Sequence, residues 1–468
     1  MVENNYSSLV SPIDYRYGRP EVKSIFSESS RLLKMVLVEY AAARAQSDFN
    51  IVPRDVSEKI AEVYREGKIT PVEVKNEERR INHDVMAMVK VLSMKVGKEG
   101  AFVHYGLTSN DVNDTATALQ IKEFLALFLE KLVEIQETLQ SLVTKHRNSV
   151  MLGRTHGQHA SPITFGLKMA VFLSEFQRHT IRMLQAIDRI LVGKLMGPVG
   201  TGAFMGRQAL KVQKRAMEII GLKAENNPTQ LVGRDRYIEF LSILNNIAVT
   251  VERLATEIRN LQRPEIGEIH EFFNKESQVG SSSMPSKQNP VDSETVCSLS
   301  RMVRTLIVPQ YEGSIYWHER DLTNSALERF TIPYASILTD FVVHKLNSIL
   351  SSLYVNEKRM KQNLRRDKLA MSESVVKLLT VRGIPRQEAH EIVRKAAIRS
   401  VESGESFARN ILASVTTIAI MEKDIKNALN PSKFLGVAGR ICSETVRETA
   451  KTILLAREKV VELRWLPL

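Results

Sequence analysis

The sequence predicts an all-α protein organised around a bundle of long helices. The prediction rests on two long apolar runs at helical spacing, the first in strictly alternating four- and three-residue steps, and on the absence of glycine or proline inside either run. From 114 to about 146, Ile121, Leu125, Phe128, Leu132, Ile135, Leu139 and Leu142 share one helical face. From 235 to about 261, Phe240, Leu241, Leu244, Ile247, Val251, Leu254 and Ile258 do the same. Both runs exceed the ordinary globular helix of about 11–12 residues, and such lengths belong to bundles.

Other helices are expected from 162 to about 195, from 291 to about 307 and from 332 to about 353. The second of these follows Pro290, a residue suited to a first turn. Polar, glycine-rich loops separate the helices: GRTHGQHA at 153–160, MGPVGTGAFMG at 196–206 and GSSSMPSKQNP at 280–290. The chain divides into a helical N-terminal domain at 1 to about 110, a central bundle at 111–360 and a smaller helical C-terminal domain at 361–468.

The 468 residues are 43% hydrophobic and 25% charged, within the range of ordinary globular proteins. Cys297 and Cys442 form no CxxC and suggest a reducing compartment. The first twenty residues lack the apolar core of a signal peptide, and no apolar run approaches the roughly 18 residues of a membrane span. A cytoplasmic, membrane-free protein is expected. The net charge of +12 raises the question of nucleic acid. The cations are scattered among acids, however, as in KNEERR, and fit a mixed-sign surface or a basic funnel for an anionic small molecule better than a nucleic-acid ribbon.

The polar clusters sit where helices begin or end, where free backbone groups and the helix dipole assist anion binding. YRYGRP at 15–20 offers Arg16, Tyr17 and Arg19 as a phosphate clamp, or merely as surface arginines. His83 and Asp84 form either an oriented acid–base pair or a helix-face pair. Thr108, Ser109, Asn110 and Asp111, with His104 upstream, are more polar groups than one N-cap needs. His156 and His159 stand three apart, but no HExxH or cysteine accompanies them, so acid–base work fits better than a metal. The glycine-rich 196–206 segment lacks the GK[ST] ending of a phosphate loop. Gln230, Arg320, Ser325 and Arg329 lie beside helices in TQLVGRDR and WHERDLTNSALER. The 280–290 loop gathers serines, a lysine and an asparagine, a composition suited to holding an anion.

Together, RYGRPEV, HYGLTSNDV, GRTHGQHA, TQLVGRDR, GSSSMPSKQNP and WHERDLTNSALERF resemble the fumarase and aspartase superfamily, and within it the adenylosuccinate lyase branch. The serine-rich loop marks the superfamily; WHERDLTNS and the N-terminal Arg-Tyr pair mark the branch. The resemblance implies elimination of fumarate from adenylosuccinate to give AMP, and from the succinyl-carboxamide ribotide of the earlier purine pathway. It implies His156 as general acid, Ser281 as general base on a mobile loop, Lys287 as a source of alkoxide stabilisation and Glu294 as the carboxylate orienting the histidine. Thr108, Ser109, Thr155, Gln230, Ser282, Lys287 and Asn289 match carboxylate-binding positions. Arg16, Tyr17, Arg320, Ser325 and Arg329 match the nucleotide and phosphate clamp, with His83, Asp84 and His104 beside it.

No metal or organic cofactor is implied. A homotetramer is, with a central helical bundle and each active site built by three subunits. Ser286, Gln288 and Asn110 depart from common family patterns, where histidine, arginine and a hydroxyl residue are more usual. Two rivals remain: another lyase of the superfamily acting on a substrate without phosphate, and a basic helical scaffold without catalysis.

Overall fold

The computed structural model describes residues 8–416 and 419–465, so the segment read for a signal peptide lies partly outside it. The apolar faces read in the sequence become the centre of a bundle. Its main helices are α1 (Glu28–Asp48), α2 (Asp84–Val96), α3 (Ser109–Lys145), α4 (Phe165–Ile190), α5 (Asp235–Gln262), α6 (Val291–Thr305), α7 (Ser325–Ser351) and α8 (Ala438–Leu463). Helix α5 packs against α4, α6 and α7, while α3 packs against α1, α4, α7 and α8. The interior is one continuous apolar cluster. In α3, Ile121, Leu125, Phe128, Leu132, Ile135 and Leu139 are fully buried, as are Phe240, Leu244, Ile247, Val251, Leu254 and Ile258 in α5. Burial on this scale, at roughly 25 cal/mol per Å² of apolar surface, holds helices that isolated peptides of the same sequence would not sustain.

Helix boundaries differ from the sequence reading where polar residues conceal them. Helix α3 begins five residues earlier than expected, because its first turn is polar and the Asp111 carboxylate accepts the Thr108 N–H at 2.9 Å. Helix α7 begins at Ser325 rather than 332 and carries Pro333 inside it. Burial of Thr331, Ile332 and Ala335 on the same turns offsets the lost backbone donor.

The helix expected from 162 starts at Phe165, after an antiparallel hairpin of β1 (Val150–Thr155) and β2 (Gln158–Thr164). Thr155 pairs with Gln158, leaving His156 and Gly157 as a two-residue turn with φ of 54° and 72°. Positive φ at both positions is the signature of a tight type I′ hairpin turn. Beyond residue 371, Ser372–Val381, Arg386–Ser403, Phe407–Ser414 and Glu422–Ala428 close over their own cluster of Val375, Leu379, Ile384, Val393, Phe407, Ile411 and Ile425. Helix α8 then returns along α3 and α4. No described helix is long and apolar enough to cross a membrane.

Candidate active site

Ser109, Asp84 and Ser325 are each the first residue of a helix, and all three open onto one cleft of about 540 Å³. His83, Gln230, Arg320 and Arg329 line it too, together with the acidic Glu78 and Asp321. Helix N-termini facing a common space favour an anion there. Arg329 donates to Asp84 at 2.8 Å, and the Val85 N–H donates to the same carboxylate at 2.8 Å. Burial acts to raise the Asp84 pKa, but these two donors outweigh it and hold the carboxyl below its usual range.

Arg320 donates to Gln230 Oε1 at 2.5 Å, and Gln230 in turn donates to the Pro198 carbonyl at 2.9 Å. The Arg320 Nε is buried and has no hydrogen-bond partner among the described residues. The glycine-rich 196–206 segment is thus a packing device for Gln230. A Cβ on Gly200, at φ 79°, would fall 2.1 Å from the Pro228 carbonyl oxygen. His83 Nδ1 accepts the Met86 N–H at 3.3 Å and stands 3.8 Å from Asp84, so it caps α2 and does not form an oriented pair with the aspartate.

Beneath the cleft lies a charge network absent from the sequence reading. Arg234 donates to both oxygens of Asp114, at 2.6 and 2.9 Å, and to both oxygens of Glu328, at 2.9 and 3.0 Å. Asp114 also accepts the Val232 N–H at 2.8 Å and Asn110 Nδ2 at 3.0 Å. One guanidinium therefore joins α3, the segment bearing Gln230, and the first turn of α7 between Ser325 and Arg329. Nearby, buried Lys194 pairs with Asp111, which accepts the Met196 and Gly197 N–H groups at 3.0 Å each. The sequence held a signal: Asp111 and Asp114 interrupt the polar start of a helix whose face soon becomes apolar, where unpaired acids would be costly. Asn110 is spent on Asp114.

The residues expected to move protons lie elsewhere in the chain. His156 is exposed at the hairpin turn. Thr155 is exposed beside it, and Gly157 and His159 line a second cleft with Glu257, Asn260 and Arg263 from the C-terminal end of α5. His159 Nδ1 lies 2.6 Å from Asp367. The 280–290 loop hangs from that same end, where Gln262 donates to the Gln288 carbonyl at 3.3 Å.

Within the loop, Ser281 Oγ accepts the Ser283 and Met284 N–H groups at 3.3 and 3.1 Å, leaving its own O–H free to donate. Asn289 Nδ2 donates to the Gly280 carbonyl at 3.0 Å. Ser282, Ser286, Lys287 and Gln288 are exposed, as is Glu294 on α6. No hydrogen bond among the described residues joins His156 to Glu294 or Ser281. Gln230 precedes α5 and the loop follows it, so 28 helical residues, about 40 Å at 1.5 Å per residue, separate the two halves.

Arg16 and Tyr17 occupy a third location. Tyr17 packs edge-on against Phe341, with ring centroids 5.9 Å apart, and Arg16 donates to the Tyr17 hydroxyl at 3.2 Å. Phe341 is twelve residues along α7 from Arg329, about 18 Å away. Arg19 is unavailable as a second clamp, because it makes paired hydrogen bonds of 2.7 and 2.8 Å to buried Asp340. Thr108 is half-buried next to Ser109. His104 is largely buried before Thr108, at 2.6 Å from Glu39.

Comparison with known proteins gives these clusters a common context. A family model described as Lyase matches residues 14–305, and one described as Adenylosuccinate lyase C-terminus matches residues 368–445. The chain is 40% identical over 441 residues to an adenylosuccinate lyase of Archaeoglobus fulgidus, covering 94% of this chain and 98% of the relative. It is also 40% identical over 422 residues to that of Aquifex aeolicus, covering 90% and 96%.

Among solved structures, a fumarate lyase from Mesorhizobium superposes with a TM-score of 0.84 at 29% identity, covering 92% of this chain and 98% of that one. A 3-carboxy-cis,cis-muconate lactonizing enzyme from Pseudomonas putida gives 0.85 at 27% identity, covering 94% and 99%. With near-complete coverage at 40% identity and a C-terminal region of its own kind, the chain belongs to the adenylosuccinate lyase family and is a lyase of the fumarase and aspartase superfamily.

Proposed function

We propose that the protein cleaves adenylosuccinate to AMP and fumarate, and likewise releases fumarate from the succinyl-carboxamide ribotide. Ser281, as alkoxide, removes the proton from the carbon beside a carboxylate. The electron pair expels the purine amine nitrogen, and His156 supplies that nitrogen with a proton. Lys287 and the start of α6 stabilise the serine oxyanion, and Glu294 orients His156. Thr108, Ser109, Thr155, Gln230, Ser282, Lys287 and Asn289 hold the succinyl carboxylates. Arg16, Tyr17, Arg320, Ser325 and Arg329 hold the nucleotide, with His83, Asp84 and His104 beside it. No cofactor enters the scheme.

The observation that carries this reading is the anion-adapted cleft in which Arg320 and Arg329 flank three helix N-termini. A superfamily substrate without phosphate has less use for such a clamp. The separation of this cleft from His156 and Ser281 within one chain supports an oligomer, a homotetramer by family resemblance, whose sites are completed by neighbouring copies. An ultraviolet assay on adenylosuccinate tests the activity directly. AMP and fumarate should appear in equal amounts, and purified protein that converts none would refute it.

A further inference from the structure

The backbone conformation of His104 is held, and its charged form favoured, by a residue on another element. It adopts the left-handed conformation at φ 65°, which a side-chain-bearing residue enters only when its surroundings hold it there. The hold comes from Glu39 on α1, which is 1% exposed. Glu39 Oε2 accepts the His104 backbone N–H at 2.9 Å, and Oε1 lies 2.6 Å from His104 Nδ1. Both oxygens of a buried carboxylate are thus spent on one histidine.

A carboxylate at that distance keeps the Nδ1 proton in place and leaves Nε2 for other work. Nε2 makes no hydrogen bond among the described residues, while the side chain retains 12% exposure. The charged groups facing the ring are Glu39 from α1 and, farther off, Asp111 from α3, itself paired with Lys194. Burial alone would favour the neutral ring, but the two carboxylates outweigh it and raise the His104 pKa. His104 stands four residues before Thr108 and five before Ser109, which lines the cleft.

We propose that Glu39 is a positioning residue: it locks His104 in its left-handed turn, favours the protonated imidazole through its contact with Nδ1 and presents Nε2 to the anionic part of the substrate. The substrate-facing half rests on the function proposed above; the Glu39–His104 link does not. The charged form of His104 then persists to higher pH than that of a free imidazole and supports binding of a multiply anionic ligand.

The test uses the intact oligomer and the Glu39→Gln variant, which keeps an acceptor for the backbone N–H but removes the charge. Hydrogen–deuterium exchange at the imidazole C2 position, read by mass spectrometry against pH, gives the His104 midpoint in both proteins. The midpoint should fall in the variant, and KM for adenylosuccinate at pH 8 should rise about tenfold with kcat little changed. The KM difference should shrink as pH is lowered to 6.

An unchanged midpoint overturns the link itself. A shifted midpoint with unaltered KM at every pH overturns the substrate-facing role. If wild-type protein turns over no adenylosuccinate, the proposed function fails while the midpoint still reads the link. Should Glu39→Gln not assemble, His104→Asn, which tolerates the left-handed backbone, takes its place. It should show a raised KM with the pH dependence removed, and a KM equal to wild type would overturn the proposal.

Discussion

Arg234 closes on both oxygens of Asp114 at 2.6 and 2.9 Å, with each residue only 3% exposed. The guanidinium also lies 5.2 Å from the Tyr237 ring centroid and reaches Glu328 on α7. Three segments that line the cleft thus converge on one buried cation. Removing one member leaves charge without compensation in a dry interior. Asp114→Ala should therefore cost about 3–5 kcal/mol in a denaturant titration. Glu328→Gln keeps its geometry and should cost less, but should raise KM through Ser325 and Arg329, its neighbours on α7. Equal stability of Asp114→Ala and wild type would show that the network is not structural.

Ser281→Ala and His156→Ala should each lower kcat by about 10²–10⁴-fold, the range for loss of one acid or base. His156 is exposed and Ser281 is half-buried in a surface loop, so thermal unfolding should be little affected. Near-normal turnover by either variant would remove its assigned role in proton transfer.

Mixing two inactive proteins tests the shared site. His156→Ala damages one end of α5 and Arg329→Ala the other. Subunits exchanged by mild denaturation and refolding of an equimolar mixture should regain about a quarter of wild-type activity, since random assortment restores some sites with both residues intact. A mixture as inactive as its components would place both residues in a site supplied by one copy.

Acid stability should depend on His179. This buried ring accepts a hydrogen bond from Arg182 on Nδ1 at 3.2 Å and lies 2.9 Å from Thr250 through Nε2. Thr250 donates its own hydrogen to Glu175, so the network fits a neutral ring with the proton on Nε2. Burial first, then Arg182 and Arg178, lower the His179 pKa to about 4. The unfolded chain binds a proton at about pH 6.5, so the folded state has lost none of this contribution above that pH and loses it as pH falls towards 4. A shift of this size corresponds to about 3 kcal/mol. His179→Gln should flatten the fall in melting temperature between pH 6.5 and 4. An unchanged slope would assign the acid sensitivity to other groups.

The long helices were legible because Ile121, Leu125 and Phe128, or Leu244, Ile247 and Val251, repeat with the period of a helix and end in a core. The hairpin was not. Val150–Thr164 mixes glycine, histidine and serine with too few alternating apolar residues to announce strands, and its turn depends on left-handed backbone at His156. The cleft residues could be named from motifs, but their distribution could not. Nothing in the order of residues says which of these motifs share a cleft: Gln230 meets Arg320, 90 positions away, while the 280–290 loop sits at the other end of α5. Arg234, Asp114 and Glu39 escaped notice because buried charge resembles surface charge until the partner is seen.

Helix α5 fixes the phase of the enzyme as well as its span. One end carries the segment that holds Gln230, the other the anchor of the serine-rich loop, and nothing flexible lies between them. A single residue inserted near Val251 would turn one end by about 100° relative to the other and shift it by about 1.5 Å. An insertion of seven residues would nearly restore the facing while lengthening the rod by about 10 Å. Either insertion would leave each end locally folded yet out of register with the other. The interior of this helix, remote from every reacting atom, is therefore where the enzyme has least freedom to change its length.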